Sequence, residues 1–148
     1  MEGKDFIKVT PDPLSVEEIT KMVTSPTSGA ISLFIGTTRN NFDDKEVVCL
    51  EYEAYIPMAE KQIQIICRDV RTKWNVENIA VFHRLGVVPV TESSVIIAVS
   101  APHRHPSLES VQYCIDTLKT TVPIWKKEMF ADGEGTWKEN KECQWRKT

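Results

Sequence analysis

The chain is poor in the features that mark several common chemistries. It has only six glycines among 148 residues, and none of them builds a glycine-rich phosphate loop. A P-loop or dinucleotide-binding fingerprint is therefore unsupported. No apolar run exceeds "VIIAV" at Val95 to Val99, whereas a membrane-crossing helix needs about 20 such residues. The opening "MEGKDFIKVTPDPLSVEE" lacks the apolar core of a secretory signal, so the expectation is an intracellular, cytosolic protein. A basic excess is missing too. Eighteen Lys and Arg stand against 21 Asp and Glu, for a formal charge of −3, which argues against a general nucleic-acid-binding surface. Any site for an anion must be local. There is no CxxC pair among Cys49, Cys67, Cys114 and Cys143, so neither a zinc site nor a redox pair is indicated. Reduced thiols acting as small apolar side chains fit better.

What remains is ordinary globular material, 41% hydrophobic and 26% charged, long enough for one domain spanning residues 1–148 with its own core. Ser15 and Glu18 stand at capping-box spacing ahead of Ile19, Met22 and Val23, so a short helix is expected to begin the fold. "AISLFIG" reads as a buried strand and "TTRNNFDDKE" as a polar loop. "VVCLEYEAY" alternates, with Val48, Leu50, Tyr52 and Ala54 expected on one face. Ile63, Ile66, Val70 and Trp74 recur at helical intervals behind Pro57. "NIAVFHRLG" and "SSVIIAVSA" are strands, with "VVPVTE" between them as a turn or edge segment. Leu108, Val111, Ile115, Leu118 and Val122 stripe a last helix that Pro123 stops, and the tail reads as a turn followed by irregular or short strand structure. Adjacent strands without helices between them predict an α+β fold with a mainly antiparallel or mixed sheet and flanking helices.

The cations cluster where such a fold can use them. Arg39 follows the strand ending at Gly36, His103 and Arg104 follow the strand "SSVIIAVSA", and Lys119, Lys126 and Lys127 flank Pro123. Loops beyond strand ends are where a rigid sheet can make polar groups converge. If those ends are neighbours, Arg39, His103, Arg104, Lys119 and Lys126 surround one pocket for an anion. The plainer reading is that Lys119 complements a helix dipole and that "WKKE" is a solvated corner. "HRH" would need a third ligand to hold a metal, and none stands at convincing spacing. His83, in its own His-Arg pair on a strand, reads as a satisfied structural histidine.

Five blocks carry a resemblance: "GAISLFIGTTRN" (29–40), "LEYEAYIPMAE" (50–60), "VFHRLG" (81–86), "HR" (103–104) and "DTLKTTVPIWKKE" (116–128). Together they resemble the family of large, catalytic subunits of molybdopterin synthase. The resemblance implies an α/β-hammerhead fold and a central homodimer of large subunits. Each is expected to bind a small ubiquitin-like sulfur-carrier subunit, giving a heterotetramer, with no cofactor or metal. The implied reaction carries sulfur from the carrier's C-terminal thiocarboxylate into cyclic pyranopterin monophosphate, forming the dithiolene of molybdopterin. Arg39, His103 and Arg104 are then expected on the phosphate and pterin side, joined by the Thr37 and Thr38 backbone. Lys119 is the expected catalytic centre with Lys126 beside it, and Lys127 and Glu128 complete the wall. A lysine whose pKa neighbouring cations depress can act as acid or base when the cyclic phosphate opens and the spent carrier is released.

The chain departs from the family around the His-Arg pair. It carries "PHRHPS", with Pro102, His105 and Pro106 in place of small residues, and the prolines stiffen the loop. A second reading of the same cations is a non-enzymatic module that binds a phosphorylated small molecule or a ubiquitin-like tail. It would not need Lys119. An RNA-binding surface is opposed by the acidic balance and the lack of interleaved exposed aromatics.

Overall fold

The run Ser93–Ala101 sits at the middle of the molecule, and its sequence explains why. In the computed structural model, which describes residues 3–133 and the backbone of 135–139, this strand is buried on both faces, as a near-continuous apolar strand must be. In chain order the elements are β1 (Asp5–Thr10), α1 (Val16–Val23), β2 (Ala30–Thr37), β3 (Asn41–Phe42), β4 (Lys45–Glu53) and α2 (Ile56–Lys73). They continue with β5 (Ile79–Arg84), β6 (Gly86–Pro89), β7 (Ser93–Ala101), α3 (Arg104–Thr121), β8 (Trp125–Phe130) and β9 (Gly135–Glu139). The α+β expectation holds.

One sheet has the order β1-β5-β7-β2, with β1 parallel to β5 and the other pairs antiparallel. The alternation of β7 divides the core. Val95, Ile97 and Val99 face α2 and α3 together with Ile63, Val70, Cys114 and Leu118. Ile96 and Ala98 face α1 through Ile19 and Val23. The second sheet has the order β3-β4-β8-β9, with β6 also paired to β4.

Four local expectations need correction. The fold begins with β1 rather than α1. That strand is short and carries Asp5 and Lys8, so its apolar signal is weak, and parallel pairing with β5 is what fixes it. The polar loop after β2 contains a tight hairpin, β3 to β4, turned by Asp43 and Asp44 at φ 51° and 63°, the left-handed region that two-residue hairpins require. In β4 the register shifts between Val47 and Cys49, so Val47 is buried and Val48 is 48% exposed. A bulge moves later side chains to the other face, which simple alternation does not anticipate. In α3, Leu108 is 59% exposed while Ser107 and Ser110 are fully buried. Ser107 Oγ donates to Val99 O at 2.8 Å and lies 2.7 Å from Ser32 Oγ, so small hydroxyls replace apolar packing where helix and sheet come close.

Candidate active site

A cavity of about 330 Å³ opens where the two sheets meet the last turns of α3. Three parts of the fold build most of it, each for a local reason. The end of β2 contributes Gly36 and Thr37 at a second register shift, where Gly36 pairs with Val95 and Thr37 with Ser93 of β7, and Ser94 and Val95 line the cavity with them. The β4–β8 ladder contributes one face. Tyr52 pairs with Lys126 and Leu50 with Glu128, and all four line the cavity. Two-residue alternation makes these cross-strand pairs neighbours. Helix α3 contributes Ile115, Leu118 and Lys119 from its last turns, and Val122 at its C-cap joins them. Leu118 packs in the core, and Lys119 beside it is exposed.

The structure thus brings Thr37, Arg39, Lys119, Lys126 and Glu128 to one cavity. Among the described residues, three cations there stand against one carboxylate, Glu128, which is 2% exposed. Arg39 and Lys119 are exposed and Lys126 is half-buried, so the positive charge sits at the mouth over an apolar interior of Phe34, Val47 and Ile124. Such a cavity accepts an anionic group at its rim and a flat apolar body within.

Four expected residues are not in this cavity. His103 caps the start of α3 and Arg104 is its first residue. Lys119 lies fifteen residues further on, roughly 22 Å along the helix axis, so within one chain the His-Arg pair and the lysines occupy opposite ends. The loop after β7 leads into the near end of α3, and the helix then carries the chain across the sheet. Lys127 alternates to the face away from the cavity, opposite Glu51. Thr38 is buried, its N–H donates to Glu92 O at 3.1 Å, and its carbonyl accepts from Thr91 N at 2.9 Å. Its backbone is therefore committed to the turn before β7. His105 pairs with Glu109 one helical turn on, at 3.2 Å, and the described residues contain no cluster of three metal-ligating side chains.

Two residues of the cavity, His83 and Tyr52, were read in the sequence only as structural positions on their strands. His83 lies on the cavity wall and is only 4% exposed. Its Nδ1 lies 2.9 Å from the Arg84 carbonyl oxygen. A carbonyl only accepts, so Nδ1 carries the proton. Burial pushes the imidazole pKa down to about 4, against a small upward pull from that hydrogen bond. Tyr52 meets His83 edge to face, with ring centroids 4.9 Å apart and planes at 73°. Burial holds the Tyr52 phenol above its ordinary pKa; the Ser94 hydroxyl lowers it and the Glu128 charge raises it further. The His-Arg pair and the alternation of β4 were the available signals. Neither revealed the cavity, because it depends on how two separate sheets meet.

None of the described cysteines lines the cavity. Cys67 and Cys114 are buried in the core, and desolvation raises both thiols, that of Cys114 to about 12. Cys49 is half-buried and its thiol is also raised, by burial and then by Glu51. Thiols so shifted are poor nucleophiles. Cys143 lies outside the described residues. No described helix is long and apolar enough to cross a membrane.

Comparison with known proteins gives this geometry a context. The molybdopterin synthase catalytic subunit of Taeniopygia guttata is 66% identical over 143 residues, covering 96% of this chain and 92% of that protein. The crystal structure of molybdopterin synthase from Staphylococcus aureus superposes with a TM-score of 0.83 at 34% identity, covering 88% of this chain and 94% of that one. A protein–protein complex of subunits 1 and 2 of molybdopterin-converting factor from Helicobacter pylori shares the fold, with a TM-score of 0.76 at 20% identity over 93% of this chain and 92% of that one. The family model described as MoaE protein matches residues 9–121, and the chain belongs to that family, the catalytic subunits of molybdopterin synthase.

Proposed function

We propose that this chain is the sulfur-inserting subunit of a molybdopterin synthase and that its chemistry takes place in the cavity between the β4–β8 ladder and the end of α3. The carrying observation is that Lys119 of α3, Lys126 of β8 and Arg39 of the loop after β2 share one cavity with the buried Glu128. The substrate class that fits is a phosphorylated pterin, cyclic pyranopterin monophosphate, with its phosphate at the cationic mouth and its ring against the apolar interior. Arg39 suits multidentate contact with phosphate oxygens, and Lys119 is a mobile charge that can also move a proton.

The sulfur arrives on the other component. A small ubiquitin-like carrier inserts its C-terminal tail, and its thiocarboxylate sulfur forms a carbon–sulfur bond to the substrate. Water then cleaves the resulting thioester and releases the carrier as a carboxylate, and a second carrier delivers the second sulfur to the neighbouring carbon, whose oxygen leaves as water. Lys119 and Lys126 stabilise the oxygen that departs as the cyclic phosphate opens, and one of them activates the water. The raised thiols support this division of labour, since this chain offers no good nucleophilic sulfur among its described residues. A catalytic subunit implies a partner subunit, and the Helicobacter pylori neighbour was solved as a complex of two subunits. His103 and Arg104 can reach a substrate phosphate only at a cavity of a second copy, because in their own chain α3 separates them from Lys119. A homodimer of this chain, loaded with two carriers in the cytosol, accommodates that.

Incubating the purified chain with thiocarboxylated carrier and cyclic pyranopterin monophosphate tests the reading. Molybdopterin is the expected product. Tight binding of both without turnover would favour a non-enzymatic binding module instead.

A further inference from the structure

We propose that His83 is a substrate-binding residue of this cavity, its Nε2 accepting a hydrogen bond from an N–H or O–H of the bound pterin. The ligand, and with it the inference, rests on the functional reading above. The cavity's cations Arg39, Lys119 and Lys126 only donate hydrogen bonds. They suit the phosphate and supply no acceptor for the polar hydrogens of a pterin ring, for which Glu128 is the one carboxylate among the described residues of the cavity. A second carboxylate would supply an acceptor at the expense of the positive field. A neutral imidazole supplies one without that loss.

His83 has the required state and placement. Its Nδ1–H is taken by the Arg84 carbonyl at 2.9 Å, which leaves Nε2 with the lone pair. On β5 it stands opposite Val95 of β7, and both line the cavity. The carbonyl bond on one side and the edge-to-face contact with Tyr52 on another fix the ring. A fixed acceptor costs little entropy to engage and discriminates by direction. Depressed basicity, from burial in the cavity wall, keeps the ring neutral as a ligand arrives.

The test uses the whole chain labelled with ¹⁵N-histidine. It has only three histidines, so His83→Gln identifies the His83 signals. Cyclic pyranopterin monophosphate is titrated in while binding is followed by calorimetry. The unprotonated Nε2 resonance of His83 is expected to move toward the protonated range as the ligand saturates, while Nδ1 stays protonated. His83→Phe is expected to raise Kd roughly tenfold, the loss of one buried hydrogen bond, and His83→Gln, which keeps a side-chain acceptor, to recover most of it. Ligand binding to the wild-type chain with an unmoved Nε2 resonance overturns the inference and leaves the functional reading standing. No binding of the pterin at all overturns both. The wild-type spectrum decides the matter even if His83→Phe fails to fold.

Discussion

Acidification should destabilise this protein through His83, by an amount the structure allows one to work out. An unfolded histidine titrates near 6.5, whereas burial puts His83 at about 4 in the folded chain. Between those values the unfolded state binds the extra proton, so stability is fully present above 6.5 and is lost as pH falls toward 4. The gap corresponds to roughly 3 kcal/mol in all, and about 2 kcal/mol of it is already gone near pH 5. The Tyr52, Glu128, Lys119 and Lys126 side chains that share its cavity are present in wild type and variant alike. Urea unfolding at about pH 7.5 and about pH 5 should therefore show a loss in the wild-type chain that exceeds the loss in His83→Gln by about 2 kcal/mol. Equal losses in the two proteins would refute the reasoning, since His83 would then titrate alike folded and unfolded.

Changing Cys49, Cys67, Cys114 or Cys143 singly to Ser should leave turnover largely intact, while at the buried Cys67 and Cys114 the new hydroxyl should cost about 1–3 kcal/mol in unfolding experiments. Abolished turnover in one well-folded cysteine variant would move the sulfur chemistry onto this chain. His105 is exposed and pairs with Glu109 on its own helix, so His105→Ala should keep full activity. Elemental analysis of the purified chain should find no stoichiometric transition metal; zinc that vanished with this substitution would reverse the assignment.

The long helices and the central strands were legible because their signals are local. Ile63, Ile66 and Val70 repeat at helical spacing, and a strand buried on both sides must be apolar throughout. The register shift in β4 was not legible, since a bulge is fixed by pairing with β8 rather than by the residues that bulge. For the site, strand ends and the resemblance led to Arg39, Lys119, Lys126 and Glu128, which do meet. The same reasoning put His103 and Arg104 beside them, because sequence proximity to a helix does not say which end of that helix faces the cavity. Lys127 was misplaced for a simpler reason: adjacent residues on a strand point to opposite faces. His83 looked merely structural because its burial was foreseeable and the opening beside it was not.

On the proposed function, proton transfer by Lys119 drives the chemistry in this cavity. As a dipole-complementing lysine in the last turn of α3 it would contribute only about 0.3–1 kcal/mol to stability. As an acid or base it would supply roughly a hundredfold to ten-thousandfold in rate. Single-turnover molybdopterin formation by Lys119→Ala and Lys119→Arg, each first verified to fold and to bind the thiocarboxylated carrier, separates the two. Both variants should make almost no product, the arginine because it restores charge but does not exchange a proton near neutral pH. Normal turnover by Lys119→Arg would contradict the acid–base role, and normal turnover by Lys119→Ala would remove the reaction from this cavity altogether.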